Sequence, residues 1–210
     1  MPVFRSGDVL PDWCELKFFD IVTLRPGDVH VFKRKGSKEK LIVGAGRCLL
    51  SVLDKKIDAE ERTNIDLGSA DGVFEVVEVY EPTTFIRMAG VWQDDVGGSG
   101  LFSVDTVTNP EEKGDPAPYA KSTGIDNHYH DCDEYWIVFQ GAGGVVSETK
   151  HYDVAVGDCL AIGMGWHHDF PRVDRSVKAV YFETTMQGKK RRGHLWEHTH
   201  GPAQPVLERV

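Results

Sequence analysis

Short apolar runs rich in Val, Ile, Phe and Tyr recur along the chain, each bounded by Gly, Pro or Asp. That punctuation predicts strands joined by tight turns. They fall near residues 21–24, 29–33, 40–43, 48–53, 73–80, 84–92 and 101–107. A second set falls near 128–130, 135–140, 144–149, 152–156, 159–162, 167–171 and 177–185. Only "DKKIDAEERTN", from Asp54, invites a helix. Turn signals every eight to twelve residues or so define an all-β chain, a sandwich or a barrel.

The segment "TNPEEKGDPAPYAKSTG", residues 108–124, holds prolines and acidic residues with few large apolar groups, as a linker does. It separates a half at 1–107 from a half at 125–188, with a tail at 189–210. The halves echo each other. "EKLIVGAGRCLLS" starts at Glu39 and "EYWIVFQGAGGVVS" at Glu134, and both share Gly-Ala-Gly once small gaps are allowed. Duplication of one β-unit is the preferred reading.

Composition narrows the partners. With 210 residues the chain can bury a sizeable core. A net charge of −9 leaves no basic face for nucleic acid, and "KKRR" at residues 189–192 reads as a solvated loop. The start of the chain has no apolar leader, and no run approaches the ~20 apolar residues of a membrane span. Four dispersed cysteines, Cys14, Cys48, Cys132 and Cys159, form no CxxC pair. A cytoplasmic protein with free thiols is the expectation.

The chemistry concentrates in "GIDNHYHDCDEYWIVFQG". Side chains two apart on a strand share a face, so His128 and His130 project together. Glu134 follows the turn-forming "DCD" and can face back toward them. Two imidazoles and a carboxylate suit a divalent transition metal. A fourth ligand is available from "GDCLAIGMGWHHDF", where alternation turns either His167 or His168 inward. Trp136 and Val138 are in phase with Glu134, and Phe170 is in phase with His168. On the last strand, either Tyr181 with Glu183 or Phe182 with Thr184 faces the interior, and the former pair would bring acid–base groups to the metal. Cys132 reads as a buried or turn thiol. His194, His198 and His200 read as part of a structural or exposed tail.

His128, His130, Glu134 and Gly141 meet the pattern His-x-His-x3-Glu-x6-Gly, and Gly157, Gly165 and His168 meet a second, Gly-x7-Gly-x2-His. Together they resemble the two motifs of the cupin superfamily. The chain departs from these motifs at Gly124, which lies two residues too close, at Gly163 where the motif has proline, and at Arg172 where it has asparagine. The resemblance implies a jelly-roll β-barrel, with two cupin-like halves in one chain, and selects His168 as fourth ligand. It implies one divalent metal (Fe, Mn, Zn, Ni or Co) held by His128, His130, Glu134 and His168.

The first half has "KRKGSKE" where the second has its histidines, and its one histidine is His30, so it is expected to be metal-free. The implied function is a metal-dependent enzyme on a small oxygenated metabolite, of dioxygenase or sugar/keto-acid isomerase type. Tyr181 and Glu183 are the catalytic candidates, and a non-catalytic ligand-binding or sensor module is the alternative. A homodimer that covers exposed strand edges is also expected.

Overall fold

The computed structural model describes residues 3–68, 71–108, 110 and 113–210. Asn109, Glu111 and Glu112 of the linker segment lie outside them. The chain is almost entirely β. The first half runs β1 (Val3–Arg5), β2 (Leu16–Leu24), β3 (His30–Phe32), β4 (Lys38–Ala45), β5 (Arg47–Val52), β6 (Lys55–Glu60), β7 (Asn64–Gly68), β8 (Phe74–Val79), β9 (Thr83–Gly90) and β10 (Val96–Val104). The second runs β11 (Glu134–Ser147), β12 (Lys150–Ala155), β13 (Asp158–Ile162) and β14 (His168–Thr185), followed by a single helical turn, α1 (Glu197–His200).

Two four-stranded sheets, β2-β9-β4-β7 and β3-β8-β5-β6, enclose the first half. The sheet of the second half is ordered β1-β13-β11-β14-β10, with β12 on β11. Its outer strands β1 and β10 come from before residue 107, so the sheets cross the division made from sequence.

The continuous apolar runs have a structural cause. Val43 and Leu41 of β4 enter the core of the first half, while Ile42 between them enters a core shared by both halves. Tyr135 and Ile137 of β11 join that shared core, and Trp136 and Val138 turn into the second barrel. Strands buried on both faces need no polar alternation. Each aromatic or aliphatic side chain so enclosed contributes about 1.5–3 kcal/mol, and the interface between halves holds Phe19, Met88, Trp92 and Phe182.

The duplication is visible in the backbone. Positive φ angles recur 95 residues apart, at Gly46 and Gly141, Leu53 and Glu148, Asp54 and Thr149, and Arg62 and Gly157. The repeat therefore runs without the gaps allowed in the sequence comparison, and the two Gly-Ala-Gly triplets are not in register. Gly46 matches Gly141. Each has φ of 83°, and a Cβ there would lie 2.2 Å from the Pro82 carbonyl or 2.1 Å from the Ser176 carbonyl. Only glycine lets these backbones cross.

The segment expected to be helical is instead the hairpin arm β6. Its burial alternates, with Ala59 and partly Ile57 inward and charged residues outward. Leu53 and Asp54, both at positive φ, form the two-residue turn that feeds it back along β5. Pattern outranked the helix propensity of its Lys and Glu.

Candidate metal centre

The expected strand at His128–His130 is not a full strand. His128 pairs its backbone reciprocally with His168 (3.2 and 2.9 Å), whereas Tyr129 pairs with Leu195 of the tail (3.0 and 3.0 Å). Alternation then sends His128 and His130 to one side, where His168 faces them. The ring centroids of His128 and His168 are 4.2 Å apart, those of His128 and His130 4.8 Å. Glu134, the first residue of β11, lies opposite Ile162 and Glu183 and closes the fourth corner.

One ligand atom from each of His128, His130, Glu134 and His168 lies within 4.8 Å of the others, and all four residues are buried. The tautomers follow from the hydrogen bonds. Backbone carbonyls can only accept, so Nδ1–H of His128 donates to Asp126 (2.7 Å), of His130 to Gly193 (3.0 Å) and of His168 to Trp166 (3.0 Å). Each Nε2 is left with a lone pair aimed at the common centre. Glu134 Oε2 lies 2.9 Å from His168 Nε2 and 3.3 Å from His130 Nε2. Yet all three Nε2 atoms and this Oε2 have no hydrogen-bond partner. Buried acceptors converging without a donor are costly unless a cation sits among them. The donor set fits a first-row divalent metal.

The electrostatics agree. Burial, reinforced by the neighbouring imidazoles, holds His128 well below its ordinary pKa, and burial also lowers His168. Burial opposes a charged Glu134 too, but His130 and His168 outweigh it and keep the carboxyl well below the usual range. His130 goes the other way. Burial is its largest influence, but Glu134, Glu183 and the Gly193 carbonyl together raise it. Neutral imidazoles and an ionised carboxylate are what a metal takes.

The turn between His130 and Glu134 is clamped from the tail. Arg191 grips both carboxylate oxygens of Asp131, and Arg209 reaches Asp133 at 2.7 Å. Of the two readings of the tail, structural or exposed, these contacts make it structural, while His194 and His198 stay about half exposed. Leu195 is buried, Trp166 Nε1 donates to the Val206 carbonyl, and Tyr129 Oη donates to that of Gly201. The basic run is a solvated loop as expected, and within it Lys190 and Arg192 pair with Asp95. A chain end with no periodic pattern gave no sequence signal for these contacts.

His194 stacks on His128, with ring centroids 3.6 Å apart and planes 3° from parallel. Its Nδ1 meets the Asp126 carboxylate at 2.8 and 3.0 Å, and Trp196 Nε1 donates to the same group at 2.6 Å. Asp126, His128 and His194 also come close enough to be considered as ligands. The Asp126 carboxylate is already engaged by His194 Nδ1 and Trp196 Nε1, and His128 Nδ1 by the Asp126 carbonyl, so these residues form a hydrogen-bonded brace. Asp126 was not singled out in the sequence because its role is played by tertiary contacts with the tail.

His167 faces away from the cluster, into a separate cavity of about 710 Å³. There Asp115 accepts from His167 Nε2 (2.9 Å) and from His198 Nδ1 (2.9 Å). His200 Nδ1 accepts from the Trp196 amide at 3.0 Å. The larger cavity is therefore not the one at the histidine cluster.

A smaller cavity of about 330 Å³ opens onto His128 and Glu134, between Trp136, Phe102, Ile125, Tyr181, Glu183 and His194. Of the two registers open for β14, Tyr181 with Glu183 faces this cavity, and Phe182 packs in the shared core. Glu183 Oε1 lies 3.9 Å from His130 Nδ1. Burial raises the pKa of both Tyr181 and Glu183. The four cysteines are free and buried, and burial pushes Cys14 up to about 12 and Cys48 to about 11. Cys132 is likewise shifted upward and takes no part in the cluster.

Among the described residues no helix is long and apolar enough to cross a membrane. Two jelly-roll halves, with the motif residues gathered in the second, give the chain the cupin-type fold that its motifs resemble. More narrowly, the chain belongs to the family of y4oW, an uncharacterized protein of Sinorhizobium fredii (strain NBRC 101917 / NGR234). The two are 43% identical over 210 residues, spanning 100% of this chain and 97% of y4oW. No family model matches the sequence. Among solved structures, AerE from Microcystis aeruginosa superposes with a TM-score of 0.57 at 10% identity, covering 88% of this chain and 99% of AerE. Bacillus subtilis oxalate decarboxylase gives 0.56 at 9% identity, covering 90% and 78%. These likenesses concern the fold.

Proposed function

We propose that the chain is a metal-dependent enzyme acting on a small oxygenated metabolite, of the oxygenase or isomerase type, with His128, His130, Glu134 and His168 as ligands. The observation that carries this is the convergence of four buried, partnerless acceptor atoms beside an open cavity. Four protein ligands leave positions free on an octahedral ion, and the bound metal would polarise a carbonyl or hydroxyl, or bind O2 if it is iron. The Mn(II) centres of oxalate decarboxylase put manganese among the metals to test.

The chain's own groups supply the rest. Trp136 and Phe102, with ring centroids 5.4 Å apart, give the cavity an apolar wall. Burial keeps Tyr181 a phenol that can donate a hydrogen bond. The Glu183 carboxyl, whose pKa burial raises, lies on the same wall, placed to exchange a proton with a bound ligand. The Asp126 brace fixes His194 at the cavity rim and holds the His128 ring beneath it.

The test is elemental analysis of protein purified without added metal, then oxygen-uptake assays across a metabolite panel. Iron with O2 uptake supports the oxygenase, and manganese or zinc without uptake supports isomerisation. Full metal content in both His130→Ala and Glu134→Ala proteins would refute the ligand assignment. Tight ligand binding with no turnover would point to a binding module.

A further inference from the structure

The cavity beside the cluster is selective in a way its walls reveal. Among the described residues that line it there is no lysine or arginine. Arg192, close enough to act on Glu183, is already engaged by Asp95 and by the Val96 and Gly97 carbonyls. The wall instead carries a carboxylate, Glu183, next to the ligand carboxylate Glu134. With both ionised, a divalent ion brings the centre only to neutrality. A ligand with two or more negative charges would find no counter-charge and would meet Glu183 directly.

The remaining wall is flat and apolar. Trp136, Phe102, Ile125 and the Tyr181 ring face the space. The room for a ligand in front of them is left by β10. Gly98 stands opposite Glu183 and Gly100 opposite Tyr181, with Phe102 next in phase on the same face. A Cβ at Gly98 would project toward the cavity wall, meeting only Glu183 and Tyr181 at 3.8 Å. A longer side chain there would fill the cavity without straining the strand. About 330 Å³ is near the lower end of ligand-pocket sizes (~300–1,000 Å³) and suits a single ring with a short polar head.

We infer that the cavity binds a small ring-bearing 2-hydroxy or 2-oxo acid, or a comparable two-oxygen chelator, with at most one negative charge. Its oxygens face the metal centre and its flat ring lies against Trp136 and Phe102. This rests on the metal reading above and narrows it, away from sugar phosphates and dicarboxylates.

A matched series built on one core tests it. Protein loaded with Co(II) is titrated with glycolate, mandelate (the core plus a ring), tartronate (the core plus a carboxylate) and 3-phosphoglycerate (a 2-hydroxy acid with a phosphate). The visible cobalt bands are the readout. Mandelate is expected to bind about tenfold or more tighter than glycolate, from burial of its ring. Tartronate and 3-phosphoglycerate are expected to bind more weakly than glycolate. Gly98→Leu should keep the cobalt spectrum and abolish the mandelate advantage, and Glu183→Gln should restore tartronate binding. If cobalt binds but the charged ligands match or exceed mandelate, or Gly98→Leu leaves mandelate unaffected, the inference is overturned and the metal reading stands. If no cobalt binds, both fall.

Discussion

Glu39 and Glu134 hold the same place in the two halves, 95 residues apart, and both are buried, yet they are neutralised differently. Glu134 faces three imidazoles whose lone pairs converge on it. Glu39 faces a guanidinium. Arg87 Nη2 reaches its two oxygens at 2.8 and 2.7 Å, with 3% and 0% of the two side chains exposed. Phe18 and Phe32 flank the guanidinium, 5.7 and 5.6 Å from their ring centroids. Lys33 and Lys35 stand where the second half has His128 and His130. One copy of the unit keeps its carboxylate with a built-in cation; in the other, the carboxylate and three imidazoles could hold an external one. A buried carboxylate needs a partner in either case, and the choice of partner separates a half with an internal ion pair from one with a candidate metal site.

The largest expected effect comes from breaking the structural pair. Arg87→Met strands a buried charge and should cost about 3–5 kcal/mol, or a fall in Tm of about 6–20 °C at this chain length. Adding Glu39→Leu should recover most of that loss. A single variant as stable as the parent would mean that the two carboxylates are not equivalent.

Next is removal of the metal. Chelation should lower the stability of the parent by about 2–3 kcal/mol relative to protein in a hundredfold excess of metal over Kd. Glu134→Gln protein should not respond to either treatment. A thermal-shift series with and without chelator decides it.

A pH series sharpens the contrast further. In chelated protein, His128 and His168 have lowered pKa values, so below about 6.5 the unfolded chain binds their protons more readily than the fold does. Glu134 is also lowered, so its stabilising contribution, complete above about 4.5, is lost as pH falls through its folded value. Both signs agree and should raise stability between about pH 4 and 6.5, against the opposite contribution of the raised Glu183; comparison with Glu183→Gln protein separates the two. The raised His130 opposes them only above that window, where its contribution is lost as pH rises. Flat or falling stability of Glu183→Gln protein across the window would contradict these assignments. The smallest effect concerns the thiols. Cys14, Cys48, Cys132 and Cys159 should resist alkylation in native protein at pH 8 and all react after unfolding.

The candidate metal cluster was legible in sequence because its determinants are local. A period of two, a three-residue turn and the start of an apolar strand bring His128, His130 and Glu134 together. The choice of His168 over His167 needed the motif resemblance, and the backbone pairing of His128 with His168 supplies its physical reason. The Arg87–Glu39 pair was not legible, because it joins strands 48 residues apart with no motif to announce it. Neither were the tail contacts of Arg191, His194 and Arg209, nor the exchange of β1 and β10 into the second sheet. Each depends on tertiary packing that no window of sequence encodes. The misread β6 shows the opposite failure, since helix-forming residue types masked a clear alternation.

The most direct test of the account is anomalous diffraction from crystals soaked in Co(II) or Mn(II). One peak per chain is expected, within bonding distance of Nε2 of His128, His130 and His168 and of Glu134, with none beside Glu39. A peak at Glu39, or no peak among the three imidazoles, would contradict it.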